Sequence, residues 1–148
     1  MKSYFDFKQF LPLAEAILEE KSLKIDEVSE ECIYRTVINR VYYACYNHTR
    51  EWLEVKYGMK TRVFDESLGK MRNRKNKSSH VIVYEDLEDI SNLVPKNLKK
   101  NFITLSSDLR AMFLKRIEAD YNLYKTINLQ DVEKVIEDGI NLMQLLNF

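Results

Sequence analysis

The side chains best suited to proton transfer near neutral pH are few, because the chain contains only two histidines, His48 and His80. Histidine is the residue whose charge changes between about pH 5 and pH 8, so it is the usual general acid or base there. Arginine, tyrosine and aspartate are concentrated in two motifs about 75 residues apart, Arg40-Val-Tyr-Tyr-Ala and Arg116-Ile-Glu-Ala-Asp-Tyr. These histidines and motifs are the first candidates for chemistry.

Asp120, in the second motif, lies on an apolar helical stripe where a carboxylate needs a partner. At about 100° per residue, one apolar stripe spans residues 33–55 and a second spans 102–123. Asp120 projects onto the middle of the second stripe, and an unpaired charge there is costly. Arg40 lies on the shoulder of the first stripe, so we predict a buried Arg40–Asp120 ion pair between two helices. The residues expected beside this pair are Tyr43, Arg116 and Tyr121.

The elements that must position these residues are helices. Gly58 predicts a helix end, Ser78 or Ser79 a helix start, and Asn128 another start. Only three glycines and two prolines occur, as expected of long helices. The sequence predicts one all-α domain over residues 1–148, an up-and-down bundle of four to five helices. The expected helices run over about Phe5–Lys21, Asp26–Tyr57, Ser78–Leu93, Pro95–Tyr124 and from Asn128 through Leu146.

Charge and cysteine content exclude several classes of protein. Lys and Arg total 23, as do Asp and Glu, so no overall positive field attracts nucleic acid and any affinity must come from a local patch. Cys32 and Cys45 fall about thirteen residues apart on one expected helix, too far to bridge each other. We find no metal-ligand spacing, cofactor motif, signal peptide or membrane span, which predicts a cytoplasmic protein that uses neither metal nor cofactor.

Three motifs in chain order resemble the small single-domain HEPN proteins of bacteria and archaea. They are R-x-Y-Y-A at residues 40–44, the Ser79-His80 pair before Val81-Ile82, and L-R followed by R-x-x-A-D-Y at 116–121. The resemblance covers roughly residues 32–146. It implies a HEPN-like bundle, a homodimer, and a role in RNA cleavage, toxin–antitoxin pairs or phage defence. Some HEPN domains bind nucleotides, so the resemblance also makes the two motifs candidates for contacting a nucleotide phosphate.

HEPN ribonucleases carry an R-x(4–6)-H motif, whose histidine moves protons while arginine stabilises the charge on phosphorus. Arg74 and His80 match this spacing with five intervening residues, whereas seven residues separate Arg40 from His48. Relatives commonly have a histidine at the position of Asn47, so this chain lacks that imidazole. The alternative for His80 is a structural role in the first turn of a helix. For His48, on the apolar face, it is a place in the core or an interface.

A basic run lies within residues 59–78, which we interpret as a loop insertion because HEPN proteins usually have a shorter connection here. Lysine and arginine contacts to phosphate supply most non-specific affinity for nucleic acids. The run is therefore either an RNA-binding arm or a solvated, mobile loop. Its cations fall within eight residues without an acidic neighbour, and are Lys70, Arg72, Arg74, Lys75 and Lys77.

The leading hypothesis is a homodimeric HEPN-type protein of a prokaryotic defence or toxin–antitoxin system that binds RNA. In its enzyme form, a metal-independent endoribonuclease, His80 is the acid or base and Arg74 or Arg40 anchors the phosphate. The alternative is a non-catalytic helical subunit that partners a nucleotidyltransferase or a larger effector complex. The cluster expected between the helices, structural or ligand-binding, comprises Arg40, Tyr43, Asn47, His48, Arg116, Asp120 and Tyr121.

Overall fold

A computed structural model describes residues 9–19 and 29–147. These residues confirm the predicted all-α helical bundle, to which the structure adds a small β-hairpin and a short 3-10 turn at Arg74–Asn76. In chain order the elements are α1 (Phe10–Glu19), α2 (Glu30–Tyr57), β1 (Arg62–Asp65), β2 (Lys70–Asn73), α3 (Ser79–Ile90), α4 (Lys96–Tyr121) and α5 (Leu129–Leu145).

Helix α2 is the centre of the bundle, since all four other helices pack against it. Val37, Val41 and Cys45 recur on one face at the spacing of a helical turn and are buried. Gly139 of α5 faces this stripe, where an added Cβ would lie only 3.0 Å from Val41 Cγ1 and 3.1 Å from Cys45 Sγ. Glycine therefore permits the close approach of α5 to α2.

The predicted helix caps are confirmed. Gly58 ends α2 with a φ of +68°, a left-handed conformation that glycine adopts without strain. Ser78 accepts a hydrogen bond from Val81 N at the start of α3, and Asn128 forms a capping box with Asp131. Helices α3 and α4 each end three residues earlier than predicted. The earlier end of α4 leaves Leu123 exposed. The expected residues 5–8, 20–21 and 26–28 of the first two helices lie outside the described residues.

The predicted Arg40–Asp120 ion pair is wrong. Arg40 is exposed and its guanidinium lies 5.9 Å from the centre of the Phe10 ring. Asp120 Oδ2 instead contacts Arg116 Nε at 2.7 Å and accepts a hydrogen bond from Asn39 Nδ2 at 2.8 Å. Neighbouring positions on a helix differ by about 100°, so Asn39 faces α4 and Arg40 turns towards α1.

Arg35 makes the polar connection between α2 and α4 that was expected of Arg40. Its guanidinium donates to the backbone carbonyls of Ala119 at 2.7 Å, Asn122 at 3.2 Å and Lys125 at 2.6 Å. It also pairs with Glu31 at 2.7 Å. The last carbonyls of a helix lack intrahelical partners and carry partial negative charge, so Arg35 is well placed at the end of α4.

The segment predicted to be a loop insertion contains an antiparallel hairpin. Phe64 lies opposite Met71, and Arg62 lies opposite Asn73. The Asp65 carboxylate accepts hydrogen bonds inside the turn, which gives the segment a defined conformation. The strands pack mainly on each other, while the 3-10 turn that follows β2 contacts α3.

Candidate nucleic-acid interface

His80 lies in the first turn of α3 and faces α2 and α4. Its Nδ1 is 2.5 Å from the Tyr42 hydroxyl. The centre of its ring lies 4.4 Å from that of Tyr46 on α2 and 5.0 Å from that of Phe113 on α4. The ring is half-buried, so three helices fix the orientation of an imidazole that solvent still reaches.

Two buried tyrosines stand behind His80. The Tyr42 hydroxyl lies 3.3 Å from the Tyr84 hydroxyl, which continues the chain of polar groups into the core. Burial raises the pKa of Tyr42 far above its ordinary value and that of Tyr84 to about 12. Both hydroxyls therefore keep their protons at neutral pH.

Arg116 of α4 contacts three other residues of the two motifs, which the sequence predicted to lie together. Its Nη2 donates to the Tyr43 hydroxyl at 2.9 Å, and its guanidinium lies over the Tyr43 ring at 5.1 Å. Its Nε pairs with Asp120, and the ring of Tyr121 lies 5.5 Å away. Arg116 also acts on His80, since burial first and the Arg116 charge second lower the pKa of the imidazole. His80 is thus neutral at pH 7.

Two further arginines extend the cationic surface around His80. The Arg50 guanidinium lies 5.8 Å from the centre of the Tyr46 ring. The positive charge of Arg110 on α4 favours a lower pKa of Tyr84, against the larger effect of burial. Within the described part of the chain, neither arginine forms an ion pair with a carboxylate. We call the whole set the His80 surface. Tyr46 is buried beneath it, and the other members are Tyr43, Arg50, His80, Arg110, Phe113 and Arg116.

The sequence analysis did not include four residues of this region among the site residues: Tyr46, Arg50, Arg110 and Phe113. A signal was present, because Tyr42, Tyr46 and Arg50 follow one another at i, i+4 and i+8 on α2. Arg110, Phe113 and Arg116 are likewise spaced three apart on α4. Neither series is informative until the packing of α2, α3 and α4 places both around one histidine.

Four residues predicted for the catalytic set or the cluster between the helices make other contacts, away from His80. Arg74 donates through Nε to the Lys60 carbonyl at 2.9 Å and pairs with Asp86, while Arg40 lies against α1. Asn47 donates to the Tyr43 carbonyl at 2.8 Å. His48 is buried, and its Nε2 lies 2.6 Å from the carbonyl oxygen of Leu146, which agrees with the inward position read from the sequence. The spaced pair Arg74–His80 therefore does not form a joint site.

Most cations of the basic run face carboxylates. Asp86 is fully buried and meets Arg74, and burial raises the pKa of Asp86 although the arginine opposes the shift. The exposed Lys70 has no such contact within the described residues. The other pairs are Arg72 with Asp65 at 2.6 Å, Lys75 with Glu85 and Asp89 at 3.8 Å each, and Lys77 with Glu85 at 2.5 Å.

The functional interpretation rests on this geometry. No protein-family model, curated protein or solved structure matches the chain. None of the described helices is both long and apolar enough to cross a lipid bilayer.

Proposed function

We propose that this protein is a cytoplasmic, HEPN-like RNA-binding protein of a prokaryotic defence or toxin–antitoxin system. The observation that carries the proposal is the His80 surface. It joins a neutral, half-buried histidine to aromatic rings and three arginines, two of which have no carboxylate partner among the described residues. Such a surface fits a phosphodiester with a base next to it.

The composition of the surface favours single-stranded RNA over a duplex. Unpaired bases stack on tyrosine, phenylalanine and histidine rings, whereas bases inside a helix are already stacked. Tyr43 is partly exposed and lies under the Arg116 guanidinium, and Arg50 and Arg110 add two positive charges without a carboxylate partner among the described residues. We therefore expect affinity to depend on both stacking and charge.

The enzyme form of the proposal is cleavage of RNA without metal. The 2′-oxygen attacks phosphorus, the bond to the 5′-oxygen breaks, and a cyclic 2′,3′-phosphate and a free 5′-hydroxyl result. His80 transfers a proton in this step, and Arg116 stabilises the charge that develops on the phosphate oxygens. A homodimer would bring in the partner subunit's His80 for the second proton transfer.

Helix α4 offers a face for that homodimer. Ile103, Leu114 and Tyr121 recur along its outer side and are 45%, 56% and 68% exposed. Exposed apolar stripes of this kind are typical of protein interfaces. The ring of Tyr121 lies 5.5 Å from the Arg116 guanidinium, so a second copy packed on this end of the stripe would reach the His80 surface.

The test is incubation of purified protein with labelled single-stranded RNA in EDTA. We expect wild type to cleave, and His80→Ala to lose at least about 100-fold in rate because a proton-transfer group is removed. Arg116→Ala should lose both binding and cleavage. The matched control is Arg40→Ala, an arginine of the first motif outside the surface, which should cleave as wild type does. Undiminished cleavage by His80→Ala would contradict the proposal.

The second candidate function is a non-catalytic subunit, and the hairpin is the observation that favours it. Phe64, Leu68 and Met71 are all exposed, and the opposing positions of Phe64 and Met71 place them on one face. If wild type neither binds nor cleaves RNA, this face is the expected contact for a nucleotidyltransferase or an effector protein encoded by a neighbouring gene. Co-purification with that protein, lost on replacing the three residues with serine, would establish the second function.

A further inference from the structure

We propose that Tyr42 is a positioning residue for the His80 surface. Its hydroxyl donates a hydrogen bond to His80 Nδ1 and thereby holds the neutral imidazole in the tautomer that carries its proton on Nε2. The hydrogen-bond network decides which ring nitrogen of a histidine is protonated, and here the network consists of Tyr42 and Tyr84.

The two distances at the Tyr42 oxygen set the direction of donation. His80 Nδ1 is 2.5 Å away and the Tyr84 oxygen is 3.3 Å away, so the single proton of Tyr42 belongs in the shorter contact. An imidazole nitrogen is also a stronger acceptor than a phenol oxygen. Tyr84 can donate to the Tyr42 oxygen in turn, which leaves Tyr42 both donating and accepting.

Burial keeps this arrangement in one protonation state. Tyr42 is completely buried, and the pKa values of both tyrosines are raised, chiefly by burial. A hydroxyl that does not ionise remains a donor throughout the neutral pH range. A histidine with one nitrogen accepting a hydrogen bond carries its proton on the other nitrogen while it is neutral.

The nitrogen that carries the proton is the accessible one. No described residue hydrogen-bonds His80 Nε2, and this atom is not among the buried side-chain nitrogens and oxygens without a partner. The half-buried ring therefore presents an N–H to solvent beside Arg116.

This geometry specifies what the neutral His80 can do for a ligand. Resting on the proposed RNA-binding function, we infer that Nε2–H donates to a phosphate oxygen next to the Arg116 guanidinium. Nε2 in this tautomer has no lone pair with which to take a proton from a 2′-hydroxyl. The enzyme form of the proposed function therefore requires a change of tautomer before cleavage: His80 must move its proton to Nδ1, with the Tyr42 hydroxyl turned towards Tyr84, before Nε2 can take the proton of a 2′-hydroxyl.

The test reads the tautomer directly, without activity. Long-range ¹H–¹⁵N correlation spectra of uniformly ¹⁵N-labelled protein above pH 7 distinguish the two neutral tautomers of histidine. With two histidines in the chain, the signals that disappear in His80→Gln are those of His80. We expect wild type to show His80 protonated on Nε2. In Tyr42→Phe, which removes only the hydroxyl, we expect a mixture of both tautomers.

Two further variants separate positioning from packing. Tyr46→Phe alters a ring that contacts His80 but has no hydrogen bond to it, and should keep the wild-type tautomer. Tyr84→Phe removes only the hydrogen bond between the Tyr84 and Tyr42 hydroxyls, and should change the ratio of the His80 tautomers less than Tyr42→Phe does. A wild-type His80 protonated on Nδ1, or a Tyr42→Phe spectrum identical to wild type, would overturn the proposal.

RNA titration of the same variants keeps the two proposals distinguishable. We expect Tyr42→Phe to bind RNA about three- to tenfold more weakly than wild type at neutral pH. Tyr46→Phe should keep the wild-type tautomer, so a change in its RNA affinity would report on the ring and not on the tautomer. If the tautomer is as expected and no variant binds RNA, the proposed function is wrong and the positioning role of Tyr42 stands.

Discussion

The hairpin segment, residues 59–78, and the His80 surface are both rich in cations, but their positive charges have different neighbours. In the hairpin segment Arg72, Arg74, Lys75 and Lys77 all contact carboxylates of the turn or of α3. At the His80 surface, Arg50 lies over an aromatic ring and pairs with no acid among the described residues. The region with the densest positive charge in the sequence is therefore the one whose charge is better neutralised.

A run of basic residues in a sequence does not show which of its charges are paired with carboxylates in the folded protein. Carboxylates close to a cation lower the local positive potential and so weaken its attraction for phosphate. The partners of the basic run, Glu85, Asp86 and Asp89, follow it by several residues and become its neighbours only when α3 forms. The predictions below separate a region whose cations serve structure from one whose cations are available to a ligand.

The largest effect is expected where the hairpin segment meets α3. Arg74→Ala should cost about 2–3 kcal/mol in the free energy of unfolding, because it leaves the fully buried Asp86 carboxylate without its cation. The pKa of Asp86 is already raised by burial and should rise further in the variant. A raised pKa means that folding disfavours the charged carboxylate, so the deficit should be smallest near the ordinary pKa of about 3.9 and should grow as the pH rises.

Arg72→Ala is the matched control for this measurement. Its partner Asp65 is partly buried but also accepts hydrogen bonds from Ser67 and Leu68, so chemical denaturation should detect a smaller loss than in Arg74→Ala. Equal losses in Arg72→Ala and Arg74→Ala would show that the buried pair does not anchor the segment.

A smaller effect should distinguish the two regions by the pH at which each loses its contribution to the free energy of unfolding. The pKa of His80 is lowered by burial and by Arg116, so the unfolded chain takes up this proton at higher pH than the folded chain. The contribution of His80 is complete above its ordinary pKa of about 6.5 and is lost as the pH falls below it, by at most about 1.4 kcal/mol per pH unit. The Asp65 and Glu85 carboxylates of the hairpin segment have lowered pKa values, so their contribution is lost only at more acidic pH.

Comparison of wild type with His80→Gln measures this separation. Denaturation series from pH 8 to pH 5 should show a decline in wild type that is reduced in the variant. Parallel curves over this range would mean that folding does not disfavour the charged form of His80.

The fold was largely accessible from the sequence because its signals are local. The caps Ser78 and Asn128 and the left-handed Gly58 depend on side chains within one helical turn of the helix end. The hairpin was not recognised, since β1 and β2 contain only four residues each and their charges resemble those of a loop. The carbonyl contacts of Arg35 carry no sequence signal, because any arginine on that side of α2 would have been an equal candidate.

The site was predicted in part. Tyr43, Arg116, Asp120 and Tyr121 do meet, because their motifs occupy facing positions of α2 and α4. The pairing of Arg40 failed because a helical projection cannot distinguish positions about 100° apart when the direction of the neighbouring helix is unknown. The aromatic environment of His80 was inaccessible, since it requires the packing of three helices that are separate in sequence.

The most direct test of the account compares two variants that each remove two positive charges. Arg50→Ser/Arg110→Ser alters the His80 surface, and Lys75→Ser/Lys77→Ser alters the hairpin segment. Single-stranded RNA affinity should fall at least about tenfold in the first, with a salt dependence reduced by about 0.7 for each lost phosphate contact, and by less than about threefold in the second. A larger loss in the hairpin variant than in the arginine variant, measured by titration at two salt concentrations, would contradict the account.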